Sequence, residues 1–213
     1  MLNLGLSALV SRMLTLVIAL TVHEFAHAWT ADQLGDDTPR FNGRLTLNPL
    51  AHLDWLGSLM LIFTGFGWAK PVPINPFAVR RRTPAGLMLV SVAGPFSNLL
   101  LAILAAVPFR AGLLDPRGAV GGLFPSASEF LLQFIYINLI LLFFNLIPIA
   151  PLDGEKVAEY LLPRAGQEFL IRIRPYGPMI LILLLVFGSV GGLNLLGALV
   201  GTPAARVLGL LVT

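Results

Sequence analysis

An apolar segment, residues 13–22, runs directly into the motif His23-Glu24-Phe25-Ala26-His27. A HExxH motif on a helix is typical of zinc hydrolases, because it supplies two imidazoles one turn apart and a carboxylate that can activate water. Ionisable groups are costly inside a lipid bilayer, so those found in a membrane helix are functional candidates. The segment therefore predicts a hydrolytic metal site within a membrane.

The composition supports a membrane location. Charged residues make up 12% of the 213 residues, and the mean hydropathy is +0.84. Soluble domains usually carry about 25% charged residues. The absence of cysteine excludes disulfides and thiolate ligands, which leaves His, Asp and Glu as metal ligands. The first ten residues lack a basic start, so no cleavable signal peptide is expected.

The long apolar segments predict an all-α polytopic membrane protein with about five to six transmembrane segments. These segments are residues 5–31, 50–68, 85–108, 129–147, 176–190 and 193–212. The short, glycine-ended segment 50–68 is predicted to be re-entrant. The last segment carries Arg206, and the sequence leaves open whether it spans or re-enters. We expect a single membrane domain over 1–213, with its core at 5–162.

Two stretches between the apolar segments predict non-helical structure. Asn42-Gly43 lies in the polar stretch 38–47 and favours a short cytosol-side β-hairpin with a two-residue turn. Residues 70–76 carry three prolines at near-alternate spacing, which excludes a helix and predicts an extended segment.

The basic residues are distributed unequally between the loops. Ten lie in 32–84 and 154–175, and only Arg110 and Arg117 lie in the loop at 109–127. The positive-inside rule places the basic side in the cytosol and predicts a multi-pass protein of the cell membrane. His23 would then lie roughly 10 Å below the cytosolic surface, given 1.5 Å per residue. Because the basic residues flank apolar segments, nucleic acid is not expected as a partner.

The spacing of the motif assigns different tasks to its residues. His23 and His27 are four residues apart, so they share one helical face and can bind one ion. Glu24 is displaced by about 100° around the helix, which suits a general base acting on water beside the metal. The alternative is a pair of packing histidines with a buried glutamate.

A catalytic zinc takes three protein ligands, so one more must come from elsewhere. Asp153 is the strongest candidate because it follows an apolar segment that Pro148 and Pro151 interrupt. Its alternative role is to cap the next helix. The other candidates are His52, Glu155 and Glu159.

Three motifs in this order resemble the site-2 protease family of intramembrane zinc metalloproteases: HEFAH (23–27), GPFSN (94–98) and NLIPIAPLDG (145–154). The phrases GRLTLNP (43–49) and GWAKPVP (67–73) resemble its compact bacterial subgroup, without PDZ or CBS domains. The resemblance covers about 15–175 and does not reach the final segments, 176–212. It implies one Zn²⁺ per chain, bound by His23, His27 and Asp153, with Glu24 as the catalytic base.

Two asparagines have both a structural and a catalytic interpretation. Asn98 lies one turn after Pro95 and either satisfies a freed backbone carbonyl or donates to the scissile carbonyl of a substrate. The same alternatives hold for Asn145. For substrate binding we also consider His52 and the extended residues Pro71, Val72 and Pro73, because strand addition can capture an unwound helix.

The favoured interpretation is a zinc endopeptidase that cleaves transmembrane segments of other proteins in the bilayer, as in regulated intramembrane proteolysis. One alternative is a metal-ion transporter with His23, Glu24, His27 and Asp153 as an ion relay. A second is an inactive relative that binds membrane helices. The sequence also leaves open whether the protein forms a homo-oligomer.

Overall fold

A computed structural model describes residues 6–55, 57, 69–118, 125–187 and 194–213. Its α-helices are α1 (Leu6–Gln33), α2 (Thr38–Phe41), α3 (Pro49–His52), α4 (Pro76–Arg82), α5 (Gly86–Arg110), α6 (Ala127–Asn145), α7 (Asp153–Leu161), α8 (Arg164–Ile173), α9 (Gly177–Phe187) and α10 (Thr202–Val212). A 3₁₀ turn, Arg174–Tyr176, joins α8 to α9, and a π-helical turn, Gly197–Gly201, precedes α10.

Four stretches of helix in the described part are long and apolar enough to cross a membrane: Ala8–Gln33, Gly86–Arg110, Ala127–Asn145 and Arg164–Val186. Gly197–Val212 is a shorter apolar helix. The prediction of an all-α membrane protein is therefore confirmed, whereas the predicted five to six spans are not. The predicted re-entrant segment, 50–68, falls largely on residues outside the described ranges.

Helix α5 is the centre of the bundle and packs against both α1 and α6. Its small residues Ala102 and Ala106 are buried against Ile135 and Leu139 of α6, and Ala204 of α10 joins the same cluster. Small side chains let membrane helices approach closely. At the start of α6, the Ser126 side chain accepts a hydrogen bond from the Glu129 amide, as expected of an N-cap.

The predicted hairpin at 38–47 is wrong. Its first residues form the helical turn α2, which Asp36 begins by accepting a hydrogen bond from the Thr38 amide at 3.0 Å. Gly43 ends the turn with φ +66° and donates to the Arg40 carbonyl. Asn-Gly suits a left-handed helix end as well as a hairpin turn, and the sequence pattern did not separate the two.

Residues 70–75 are non-helical, as their prolines predict. Leu53 and Ala69 form an isolated antiparallel bridge, and the Lys70 amide donates to the His52 carbonyl at 2.7 Å. Beyond this bridge, the described ranges contain no β-strand. The extended stretch therefore lies against α3 rather than in a sheet.

The connection from α6 to α7 brings Asp153 back to the bundle. Asp153 is the first residue of α7, and the Ala150–Pro151 peptide before it is cis. At Gly154 a Cβ atom would come within 2.3 Å of the Leu146 carbonyl oxygen, so only glycine allows this approach. The close contact places the start of α7 against the end of α6.

Candidate metal centre

The two motif histidines lie on the inner face of α1 and are buried, with 4% and 6% of His23 and His27 exposed. Their Nε2 atoms are 3.0 Å apart. Asp153 completes the group from α7, with Oδ2 3.2 Å from His23 Nε2 and Oδ1 3.4 Å from His27 Nε2. Among the described residues, these three form a group whose ligand atoms all lie within 4.8 Å of one another.

The hydrogen bonds of the two rings fix their tautomers. His23 Nδ1 lies 2.7 Å from Asn98 Oδ1, and His27 Nδ1 lies 2.7 Å from the Val90 carbonyl oxygen. Both oxygens only accept, so each Nδ1 carries a proton, and each Nε2 is the ring atom that can present a lone pair to a metal ion. Both Nε2 atoms and the carboxylate of Asp153 then converge on one point, an arrangement that suits a bound cation.

Gly94 of α5 keeps this point open. A Cβ atom there would lie 2.4 Å from His27 Nε2 and 2.6 Å from His23 Nε2. The buried donor set and the space beside it fit a zinc ion bound by His23, His27 and Asp153.

The charge on Asp153 is favoured in this position. Burial disfavours the carboxylate, but attraction to the positive charge of His27 and hydrogen bonds from His23 and His27 outweigh burial, so the pKa of Asp153 lies below its ordinary value. A ligand that stays deprotonated supports metal binding.

Glu24 is half-buried and follows His23 directly on α1. It forms no hydrogen bond or ion pair with another residue of the described ranges. Its carboxylate is therefore not engaged in holding the bundle together, unlike the carboxylate of Asp153.

Asn98 is fully buried, and its amide group is committed to the bundle. Its Oδ1 accepts from His23, while its Nδ2 donates to Asn138 Oδ1 at 2.9 Å and lies 3.4 Å from the Ala19 carbonyl oxygen. This geometry favours the positioning of His23 over donation to a substrate. Asn138, which is also fully buried, was missed in the sequence, although an amide between apolar residues of α6 could have indicated it.

Asn145 donates to the Leu141 carbonyl of its own helix at 3.0 Å. His52 is buried and donates from Nε2 to the Thr46 carbonyl at 2.7 Å, and it is not part of the metal group. The structure therefore brings Asp153, and not His52, to the histidines.

The extended residues Pro71, Val72 and Pro73 are held by a buried arginine that the sequence reading missed. Arg44 donates to the carbonyl oxygens of Ala51 at 2.8 Å, Lys70 at 3.0 Å and Pro71 at 3.2 Å. The only indication of Arg44 in the sequence was its position in the phrase GRLTLNP, which resembles the bacterial subgroup. Pro71 is exposed, and Val72 and Pro73 are half-buried.

A cavity of about 410 Å³ reaches Asp153 from the side of α7 and α9. Glu155 and Arg174 line it and form an ion pair, and Arg174 also pairs with Glu159. Lys156 Nζ lies 2.9 Å from Glu155 Oε2. The two glutamates considered as ligands are thus ion-paired beside the metal group.

Comparison with known proteins agrees with a zinc site formed by two histidines and an aspartate. The model of Peptidase family M50 matches residues 122–187. Two relatives share the name "Putative zinc metalloprotease". YwhC of Bacillus subtilis (strain 168) is 39% identical over 175 residues, 81% of this chain and 78% of YwhC. Rip2 of Mycolicibacterium smegmatis is 35% identical over 173 residues, 80% of this chain and 64% of Rip2. No solved structure gives a significant match.

Membrane-length helices around a buried group of two histidines and one aspartate define a membrane metalloprotease. The chain belongs to peptidase family M50, the site-2 protease family, whose members use Zn²⁺. The resemblance found in the sequence is thereby confirmed.

Proposed function

We propose that the chain is an intramembrane zinc endopeptidase that hydrolyses peptide bonds within or near transmembrane segments of other membrane proteins. The observation that carries this proposal is the position of the metal group between α1 and α5, two helices of membrane-spanning length. The site is off-centre, since Gly94 lies eight residues from the start of α5 and sixteen from its end. A site closer to one end of a spanning helix is closer to water, which hydrolysis of a peptide bond requires.

His23, His27 and Asp153 would hold the zinc, which when bound supplies Lewis-acid polarisation and lowers the pKa of water. Glu24 acts as general base and takes the proton from the attacking water, a role for which its carboxylate is uncommitted. Asn98 acts as a positioning residue that holds the Nδ1–H tautomer of His23.

Substrate binding must overcome the internal pairing of a transmembrane helix, because every backbone group of such a helix is already hydrogen-bonded. The extended residues Pro71, Val72 and Pro73 offer an edge against which an unwound segment can lie. His52 and Arg44 support that edge from behind through backbone contacts. Asn145, at the end of α6, is a further candidate for contact with substrate.

The charge distribution supports a multi-pass protein of the cell membrane with its site nearer the cytosolic face. We propose that residues 1–213 form one catalytic domain with its core at 5–162. Transmembrane protein substrates and the bilayer are its partners.

The discriminating experiment uses Glu24→Gln in liposomes with a model transmembrane substrate. We expect zinc content to stay at one ion per chain while cleavage falls at least about 100-fold, because only the base is lost. Glu168→Gln is the matched control, since Glu168 is exposed on α8 and should leave cleavage unchanged.

Cleavage by the Glu24→Gln variant at the wild-type rate would refute the assigned base. A wild-type protein that cleaves no helical substrate but moves zinc across the liposome membrane would favour the transporter alternative. Binding of substrate helices without cleavage by wild type would favour the inactive relative.

A further inference from the structure

Arg206 lies on an apolar helix and lacks a counter-ion. All eleven Asp and Glu residues of the chain fall within the described ranges, and none forms an ion pair with Arg206 there. Its side chain is exposed and lines a cavity of about 770 Å³. An uncompensated guanidinium in a membrane segment is costly and is a functional candidate by default.

The depth of this cavity follows from its other wall. Tyr136 of α6 lines it together with Arg206 and lies nine residues from either end of that helix. At 1.5 Å per residue, both helix ends are about 13 Å away. Ala204, two residues before Arg206, belongs to the same buried cluster as Ile135 and Leu139, which lie in this part of α6. Arg206 of α10 therefore lies level with the middle of the spanning helix α6, well below the level of lipid headgroups.

The cavity is separate from the metal centre. Tyr136 is exposed, whereas Asn138 is fully buried and contacts Asn98 beside His23. Two residues of helix turn the side chain by about 200°, so the cavity lies on the outer side of α6.

Two small residues in the lining allow a close approach of another helix. Gly201 and Ala205 line the cavity at four-residue spacing, the pattern that lets two membrane helices pack backbone to backbone, whereas the Asn194 side chain covers Gly197. A Cβ atom at Gly201 would meet no atom within 4 Å, so the space above this glycine is open. Tyr136 and Thr202 add hydroxyl groups to the wall beside Arg206.

From these observations we infer that the outer face of α6 and α10 is a docking site for a transmembrane helix of a partner protein that carries an acidic side chain near its middle. The small residues accept the helix backbone, and the carboxylate neutralises Arg206. A lipid headgroup fits less well, because its phosphate lies at the membrane surface rather than at mid-depth. The proposal does not rest on the proteolytic function, since the metal ligands lie on the other side of α6.

The test measures energy transfer in phosphatidylcholine liposomes between the protein and labelled polyleucine helices. The chain has no cysteine, so a single Thr213→Cys change gives one labelling position near α10. The helices carry Glu, Gln or Leu at their central position. We expect the Glu helix to bind about ten-fold more tightly than the Leu helix, and Arg206→Met to remove this preference.

Two further variants keep the test decisive. Gly201→Leu should weaken binding of all three helices by filling the groove, and its open surroundings make misfolding a poor explanation. Arg110→Met removes an exposed arginine at the end of α5 and should change nothing. Cleavage of a model substrate should be unaffected by Arg206→Met, which separates this proposal from the proposed function.

Equal binding of the Glu and Leu helices would overturn the proposal, as would a Glu preference that survives in Arg206→Met. Loss of the preference on adding phosphatidylglycerol, with lipid retention that depends on Arg206, would assign the cavity to an anionic lipid and overturn it too.

Discussion

The two regions that supply the candidate metal ligands are held by different kinds of interaction. On α1, the histidine rings are fixed by uncharged hydrogen bonds to Asn98 and to the Val90 carbonyl oxygen, in the buried interior. On α7, Asp153 precedes two glutamates that are ion-paired with Arg174 beside a cavity. The first region is buried and held by uncharged partners, and the second is held by charged partners and is partly accessible.

The difference follows from the surroundings of each helix. Inside the bundle, water cannot replace a missing partner, so each polar group needs a fixed partner and the rings have one orientation. Beside an accessible cavity, a helix can be held by ion pairs that solvent and salt weaken. The histidine side should therefore set the geometry of the metal, while the aspartate side should respond to solution conditions.

The largest effect should come from Gly94, which lies between the two imidazoles. Gly94→Ala should abolish zinc binding and cleavage, because the added methyl group would lie 2.4 Å from His27 Nε2. Zinc content of the purified protein by atomic absorption measures the effect. Gly209→Ala is the control, since a Cβ atom there meets nothing within 4 Å. Full zinc occupancy in Gly94→Ala would show that the ion lies elsewhere.

The next effect should come from the amide that orients His23. Asn98→Leu should lower zinc affinity by about 10–100-fold, because the ring loses the acceptor that fixes its tautomer. Asn98→Asp retains an acceptor oxygen and should restore part of the affinity. Chelator competition measures both.

The same variant separates the two interpretations of Asn98. If Asn98→Leu keeps the zinc affinity of the wild type and loses only kcat, the amide acts on the substrate carbonyl instead. Loss of zinc affinity supports the positioning role that the hydrogen bonds favour.

The helical class, the histidine pair and the leading third ligand could all be predicted from the sequence. They depend on local patterns: apolar segments of spanning length, an i,i+4 spacing, and an aspartate after a helix broken by prolines. The resemblance to a known family added the assignment of Asp153 as a ligand.

The contacts across the bundle could not be predicted in this way. Asn138 and Arg44 act on residues 40 and 26–27 positions away, so no local pattern contains their partners. The hairpin failed for a different reason: Asn-Gly fits two kinds of turn, and only the contacts of Asp36 and Arg40 with the α2 turn select one.

The smallest effect should come from the charged side, and it should depend on salt. Arg174→Met should weaken zinc binding by about 3–10-fold at low salt, because the almost buried Glu155 keeps only Lys156 as a partner and α7 is held less firmly. The effect is limited because the Arg174 side chain is itself 37% exposed. Arg80→Met is the matched control. Arg80 is 54% exposed and lies 3.6 Å from Glu159, so its loss should change zinc binding by less than about two-fold.

Varying the salt concentration tests whether the histidine region and the Asp153 region differ as described. At 1 M salt the screening length falls to about 3 Å, so the zinc affinity of the wild type should approach that of Arg174→Met. Asn98→Leu should keep its full defect at both salt concentrations, because its lost hydrogen bond is uncharged and buried. Equal salt dependence in the two variants would mean that the histidines and Asp153 respond as one rigid unit, and the distinction between the two regions would fail.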